Sequence, residues 1–540
     1  MYSYVGYLLS ISALGIYLHA IFITITLGFP LAIASLLYAY ERTKREYLMR
    51  AVRVLTYVLA VNFALGAVTG TLVEFGLVQI WPGTILAIAS FVFAPLALEL
   101  IAFANEIAFL ILFIVTLGRI KTSLSIVILL IYWVFAMFSG LLITSVNSWL
   151  VAPFGVGSIP SALYPFLPDY GPLYADPQKL VALKILLIST GKTLQDLIQT
   201  PGVSEVVGVI LKNPLVALVN PYALVSVLHN LVAAVIIGLS IALLGYSYRL
   251  YRSGSDAYRH VIKAFYPILL ILILLQPTVL GHLMGESVVE YNPVKFAMME
   301  GAYNTYHNPL IALLAYGDPS HPIVGFDNFY SSCERLGNAT LGDLALSMGL
   351  TREALVDLSK SLRVDVDPSR LNETLSLKLA DICKNDLDKA RAKVEIVHIA
   401  YYTKISGGVV AFIASIALAG LLYNVPVLTS LSRRVMFLIT GGDERKSILI
   451  LSILVSLGVA LASVLGWFVR EVGRKPWTVY GLLYPEEVVT AVDYAYTPQF
   501  AALAAVVFLA VSLGGLYAMY LVASREARFT ELIERFFRKR

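Results

Sequence analysis

Charge is scarce in this chain: only 14% of its 540 residues are Asp, Glu, Lys or Arg, against about 25% in soluble domains. Cysteine is scarcer. The two present, Cys333 and Cys383, exclude an iron–sulfur or zinc cluster built from the thiolates of this chain alone. A basic leader with a small-residue cleavage site is also missing. The chain opens Met1-Tyr2-Ser3-Tyr4, so its first apolar run is expected to be a retained helix and not a signal peptide. No internal repeat is evident. Apolar sequence fills the rest: 58% of residues are hydrophobic and the mean hydropathy is +0.78. A single buried core cannot absorb that much apolar chain. It requires many bilayer-spanning segments of roughly 20 residues each, which overrides the soluble, multi-domain expectation that length alone would give.

Nine spans are expected, at about 9–39, 54–73, 84–117, 123–148, 221–247, 262–284, 396–423, 447–470 and 499–522. The fold class is therefore an all-α membrane protein, multi-pass in the cell membrane. The connections sort by charge. One set is short and basic: Arg42, Lys44, Arg45, Arg50 and Arg53; Arg119 and Lys121; Arg249, Arg252, Arg259 and Lys263; Arg433, Arg434, Arg445 and Lys446; and the tail to Arg540. By the positive-inside rule the N-terminus lies outside and the C-terminus inside. The tail, 523–540, interleaves Phe529, Leu532, Ile533, Phe536 and Phe537 with basic residues, the pattern of an amphipathic surface helix. Nothing points to a nucleic-acid partner.

Two outer connections are long. Residues 149–220 are rich in Pro and Gly and hold one more apolar stretch, expected to be re-entrant or surface-lying. Residues 285–395 form a polar, extracytoplasmic loop with helical patterning, for example Thr351 to Leu362. Both cysteines fall in it, as a disulfide in an oxidising compartment or as two free thiols. The sequons at Asn338 and Asn372 are short enough to recur by chance. The chain thus divides into 1–148 (spans 1–4), 149–220 (the insertion), 221–284 (spans 5–6), 285–395 (the loop), 396–522 (spans 7–9) and the tail.

Ionisable residues inside a membrane are functional candidates by default. His19, Glu99, Glu106, His229, Lys404, Glu471 and Arg474 qualify. The topology places His19, His229 and Glu471 at similar depth near the outer face, which suits a buried metal or haem cluster. A lone intramembrane His also serves as a hydrogen bond between helices. Glu99 and Glu106, seven apart, share a helix face, as in a proton path or a cation site. On the residues alone, a proton-coupled transporter and a redox protein remain open.

The motifs around these residues carry a resemblance. Gly466-Trp-Phe-Val-Arg-Glu-Val-Gly-Arg-Lys-Pro-Trp477 resembles a signature of cytochrome bd-type quinol oxidase subunit I. Gly66-Ala-Val-Thr-Gly70 with Glu74, Phe75 and Trp81, Ala94 to Glu99, Asn147-Ser-Trp149 with Pro153, and Asn220-Pro221 with His229 resemble its second to fifth spans, in order. The resemblance implies that His19 and Glu471 ligate the two haems of the oxygen-reducing pair and that Arg474 meets haem propionates. Trp467 would lie among the haems, and His229 would be one ligand of a low-spin haem b. Glu99 and Glu106 would feed protons to the oxygen site. Lys295 and Glu300, five apart after span 6, would sit in the quinol loop, Glu300 taking a hydroxyl proton and Lys295 orienting the head-group; a solvated salt bridge is the plain alternative for that pair.

The implied cofactors are a low-spin haem b, a high-spin haem b, and haem d or a further haem b. The implied partners are membrane quinol, O2 and a second, related membrane subunit. The implied activity is that of a quinol:oxygen oxidoreductase, taking its protons for water formation from the inside. A paralogue of the same fold with another electron donor or a missing low-spin haem, and a proton-coupled membrane transporter or non-catalytic assembly subunit, are the alternatives.

The chain departs from the family pattern chiefly on the low-spin side. Ser406 stands where the family's second low-spin ligand, a methionine, is expected, and Lys404 replaces an arginine. Lys404 could ligate if neutral, or meet a propionate. His398 lies eight residues earlier, about 12 Å along the helix. Glu106 stands one residue closer to Glu99 than in the family pattern. Leu8-Leu9 replaces an arginine in span 1, and Gly281-His-Leu-Met-Gly285 lacks the usual acids and offers His282 and Met284 as substitutes. The insertion is longer than the family pattern.

Overall fold

The computed structural model describes residues 4–197, 215–490 and 497–524, which are helical with no sheet; only isolated bridges such as Tyr306–Ile323 occur among them. The basic tail beyond 524, and residues 198–214 of the insertion, lie outside the described residues.

Among the described residues, nine helices are long and apolar enough to cross a membrane, one for each expected span. They are span 1 (Val5–Thr43), span 2 (Glu46–Ile80), span 3 (Pro82–Thr116), span 4 (Thr122–Val151), span 5 (Pro221–Ser253), span 6 (Asp256–Tyr291), span 7 (Val394–Tyr423), span 8 (Glu444–Val472) and span 9 (Thr497–Ser524). Most run well past the roughly 20 residues a bilayer needs. The 39 residues of span 1 extend about 58 Å at 1.5 Å per residue, so the helices also build structure beyond the hydrocarbon. Span 6 is not regular. Pro277 lacks a donor, and the chain takes a π-helical turn over Gln276–Leu280, closed by Gly281 N–H donating to the Gln276 carbonyl. Such turns are frequent at functional sites.

Small residues set the closest helix approaches, as expected where lipid supplies no hydrophobic drive between helices. Spans 1 and 5 meet at Gly28 and Gly238, where a Cβ on Gly238 would lie 2.0 Å from the Thr24 carbonyl oxygen. Spans 7 and 8 meet at Gly407 and Gly458 in the same way.

The connections segregate into two ends. At one end, Arg259 pairs with Glu444 at 2.6 Å and Arg433 with the same carboxylate at 3.4 Å, joining the basic connections after spans 5 and 7. At the other, the connections after spans 2, 4, 6 and 8 gather with the N-terminus. There Thr490 N–H donates to the Ile80 carbonyl and the Tyr4 hydroxyl to the Thr490 carbonyl.

That second end is a folded helical layer, not loose loops. Its centre is Asp386, fully buried. Its Oδ2 accepts from Tyr164 at 2.5 Å, Tyr484 at 2.5 Å and Trp477 Nε1 at 3.2 Å. One carboxylate so ties the insertion, the long loop and the segment after span 8. Burial beside that carboxylate pushes the Tyr164 and Tyr484 phenols well above their ordinary range. A second tie is the buried pair of Lys184 and Glu487, at 2.7 Å, with the Lys184 ammonium 3.9 Å over the Tyr484 ring.

One expectation for this layer is revised and one open choice is resolved. The apolar stretch of the insertion forms the helix Pro177–Thr190, which is neither re-entrant nor surface-lying. Nine of its residues are buried, beneath the loop helices Leu341–Ser347, Arg352–Ser361 and Pro368–Leu375. A run of that length is too short to span, and it is apolar because it is a core helix of the layer. Of the two options for the cysteines, the structure takes the disulfide, Cys333–Cys383, linking helix Phe326–Glu334 to helix Leu379–Arg391.

Candidate haem and quinol sites

Span 1 carries His19 to a point where span 2 has no side chain. A Cβ on Gly70 would lie 3.0 Å from His19 Cε1, and the His19 Nδ1 is 2.9 Å from Thr69 Oγ1. The Gly66-to-Gly70 stretch therefore clears space for the ring and supplies a hydroxyl that fixes its orientation.

Glu471 ends span 8. Its Oε2 accepts from Arg474 Nη2 at 2.5 Å and its Oε1 from Asn147 Nδ2 at 3.3 Å. One residue earlier, Arg470 is buried and donates to Ser226 Oγ at 2.9 Å and Ser148 Oγ at 3.2 Å. Its guanidinium stands 5.2 Å from the Trp467 ring centroid. Sequence reasoning passed over Arg470. The signal was available in the motif itself, which places a second arginine directly before Glu471 at the end of span 8.

Lys295 belongs to the same cluster. It is buried, and its Cγ would sit 2.9 Å from a Cβ on Gly473, so the lysine stem lies against the backbone just after Glu471. Burial lowers the Lys295 ammonium to about 7, with Arg470, Lys404 and Arg474 pushing the same way and Glu471 opposing. Lys404 packs over Gly466, its Nζ 4.0 Å from where a Cβ would be. Burial likewise brings Lys475 down to about 8.

Four cations, Lys295, Lys404, Arg470 and Arg474, thus share one region with a single carboxylate, Glu471. Each buried ion costs several kcal/mol unless it is paired. Arg474 Nε and Nη1 and Arg470 Nε are buried with no protein acceptor. This donor set fits a group that brings carboxylates of its own, and the haem propionates named by the sequence resemblance are such groups.

His19, His229 and Glu471 do not converge into one metal-ion site: among the described residues no three His, Cys, Asp or Glu side chains gather in that way. Each stands as a separate axial candidate. Gln276, presented by the π-turn of span 6, meets His229, its Nε2 lying 3.3 Å from His229 Nδ1 and donating to the His229 carbonyl at 2.9 Å. Ser406 is exposed and donates to the Tyr402 carbonyl of its own helix at 2.9 Å. His282 pairs with Glu286 at 3.3 Å.

Lys295 and Glu300 are not a solvated salt bridge. Both are buried, and five residues turn a helix by about 140°, so they serve different partners. Glu300 turns to span 7, where Tyr402 donates to its Oε2 at 2.8 Å. His398, one turn before Tyr402, has Nδ1 2.8 Å from the Met299 carbonyl and its ring 4.8 Å from that of Tyr402. It lies with the loop and not beside Ser406. Burial raises the Glu300 carboxyl, and the Tyr402 hydrogen bond and the nearby His398 work against that rise. Tyr402 is also exposed on span 7, as are Ile396, Ile399 and Ile405, so Glu300 stands just behind an exposed, largely apolar surface.

Glu99 and Glu106 lie in span 3, with Glu106 buried and Glu99 half-buried near Ser139 Oγ at 3.4 Å. Glu99 is within electrostatic reach of both Glu74 and Glu106, and Glu106 of Tyr132. The carboxylates form a row between spans 2, 3 and 4.

The comparisons with known proteins bear on the fold and the family. The structure resembles that of the bd oxidase from Geobacillus thermodenitrificans with a TM-score of 0.66, over 97% of this chain and 99% of that one, at 18% sequence identity. A Bacillus subtilis protein assigned as a cytochrome bd menaquinol oxidase subunit I is 25% identical over 306 residues, 56% of this chain and 59% of that protein's length. The cytochrome bd ubiquinol oxidase subunit 1 of the same organism is 23% identical over 471 residues, 86% of this chain and 81% of that protein. The model of the family described as cytochrome bd terminal oxidase subunit I matches residues 10–527, and the chain belongs to that family.

Proposed function

We propose that this chain is subunit I of a bd-type terminal oxidase that oxidises membrane quinol at the end bearing the folded layer and reduces O2 to water at a pair of haems. The observation that carries the reading is the buried cluster of Lys295, Lys404, Arg470 and Arg474 around one carboxylate, with guanidinium N–H groups left to hold anionic cofactor carboxylates. Haem supplies the electron transfer and the oxygen chemistry; axial ligand and burial tune its potential. In this reading His19 and Glu471 would hold the haems of the oxygen-reducing pair. Arg474, which orients Glu471, and Lys404 would each hold a propionate, and Trp467 would line the haem region.

Glu300 takes the hydroxyl proton of a quinol arriving from the lipid past Tyr402. Lys295, on the far side of its helix, would link the loop to the haem carboxylates. Glu99 and Glu106 carry protons inward to the oxygen site. With the layer outside, as the basic connections at the other end imply, protons leave outside and enter from the cytoplasm. The bare apolar faces of spans 6 and 9, of which only 11% is buried within this chain, are available to lipid and to a second membrane subunit.

A second reading keeps the fold and changes the electron input. It is favoured by Ser406, whose hydroxyl bonds its own helix, so that a haem at His229 would lack the family's second ligand. Reduced-minus-oxidised spectra with pyridine haemochrome analysis, together with quinol-driven oxygen uptake, test both. Three haems and quinol-driven uptake are expected. High-spin haem without a low-spin signal would favour the second reading, and no haem at all would return the chain to a transport or assembly role.

A further inference from the structure

Glu300 is buried, and quinol oxidation releases two protons. One carboxylate must therefore be emptied between the first proton and the second. We propose that His398 is the outlet of the quinol site, taking each proton from Glu300 across the Tyr402 hydroxyl and releasing it to water at the layer end of span 7. The proposal rests on the reading of Glu300 as the quinol's proton acceptor.

Four observations place His398 in that role. Its Nδ1 lies 2.8 Å from the Met299 carbonyl. A carbonyl only accepts, so Nδ1 carries the ring hydrogen and Nε2 of the neutral ring is the free base. Next, His398 and Tyr402 are four apart on span 7 and so share a face, with ring centroids 4.8 Å apart, while the Tyr402 hydroxyl touches Glu300 Oε2 at 2.8 Å. The imidazole also acts electrostatically on the Glu300 carboxylate, so a proton on the ring is held beside the carboxylate it has just restored. Finally, His398 is four residues from the start of span 7 at Val394 and only half-buried, whereas Glu300 is 8% exposed.

The backbone is shaped for this contact. Gly301 ends the Glu300 helix with φ +64, and a Cβ there would lie 3.1 Å from His398 Nδ1, so the imidazole rests against the bare glycine. The other ionisable groups facing the pair are phenols: Tyr306, Tyr316 and Tyr401 all feel the Glu300 charge, and His321 stacks on Tyr316 at 3.8 Å.

The steps balance. A quinol O–H bond breaks, the proton adds to Glu300 and one electron goes to ferric haem. The proton moves to His398 Nε2 and then to water, restoring the carboxylate. The second hydroxyl repeats the cycle and the product is quinone, with two protons and two electrons delivered.

The test is stopped-flow haem reduction of the purified oxidase complex by a short-chain quinol, across about pH 5 to 8. His398→Gln is expected to slow reduction about 100-fold, the scale of a lost acid–base group. It should also flatten the acid limb of the profile and regain rate with added imidazole. Dithionite-reduced spectra should be unchanged. Tyr402→Phe, which keeps the ring and the fold, is expected to slow the same phase with His398 in place. A wild-type rate and profile in either variant overturns the outlet. Glu300→Gln separates the two claims: full rate in that variant defeats the quinol reading itself, whereas a slow Glu300→Gln beside a fast His398→Gln defeats only the outlet.

Discussion

Arg474 donates Nη2 to Glu471 Oε2 at 2.5 Å while its Nε and Nη1 remain buried without a protein acceptor. One guanidinium thus faces two ways, toward an axial carboxylate and toward a position that needs an anion. Arg474→Gln removes both contacts. It is expected to lower haem content or oxygen uptake by about 10- to 100-fold, as loss of a residue supporting a metal ligand does, and to shift the high-spin absorption. Arg474→Lys keeps charge but loses the planar fork and should fall between the two. Wild-type spectra and uptake in Arg474→Gln would remove the residue from the site.

Lys295 makes the same cluster sensitive to pH. Its ammonium is lowered from 10.5 to about 7 in the fold, burial being the first cause. The unfolded chain therefore holds a proton that the folded chain has lost between about pH 7 and 10.5, and stability rises with pH wherever the unfolded state binds more protons. In haem-depleted protein the thermal midpoint should climb across that window, over and above any other trend, and Lys295→Met should flatten the climb. Anionic haem carboxylates beside the ammonium push its titration back up. Haem-loaded protein should then show less of the climb between pH 7 and 9. Equal slopes in wild type and Lys295→Met would defeat the assignment.

Cys333 and Cys383 close a loop of 50 residues, for which chain entropy alone stabilises by about 4 kcal/mol. Both are fully buried. Mild reductant should leave the bond intact in the folded protein, and Cys333→Ser should make the layer, not the spans, the first site of limited proteolysis. Because the Glu300 helix belongs to that layer, quinol-driven turnover should fail before the dithionite-reduced spectrum changes. Simultaneous loss of both would place the disulfide's influence in the spans instead.

The spans were legible because a bilayer imposes a length and a composition, and each of the nine met both. Glu471 and Arg474 were legible because they sit three apart in a single motif. What escaped depends on contacts distant in sequence. Tyr402 reaches Glu300 across 102 residues, and no local pattern reports that. The helix Pro177–Thr190 has the composition of a membrane segment and the length of a core helix, and its cover comes from residues 341–375. Lys295 and Glu300 looked like a pair because they are close in sequence, yet the 3.6-residue turn sends them to opposite sides. Arg470 alone was within reach of the motif and was passed over.

The low-spin side gives the sharpest test of how far this chain has diverged. Ser406 spends its hydroxyl on the Tyr402 carbonyl of its own helix, a bond that stabilises nothing outside span 7. His229 is meanwhile held by Gln276 from the π-turn of span 6. If the haem of His229 lacks a second protein ligand, supplying one should change its spin state. Ser406→Met replaces the hydroxyl with a thioether at the position where the family resemblance expects it, and a soft sulfur ligand opposite imidazole favours a six-coordinate, low-spin centre of higher potential. The expected result is a sharpened low-spin band in the reduced-minus-oxidised spectrum, a raised midpoint potential and less carbon monoxide binding at that haem, with the signals assigned to His19 and Glu471 unchanged. A low-spin signal already complete in the wild type, and insensitive to Ser406→Met, would mean that another side chain closes the site. Lys404, buried against Gly466 one turn of the cluster away, is then the residue to replace next, and loss of the low-spin band in Lys404→Met would identify it as the ligand.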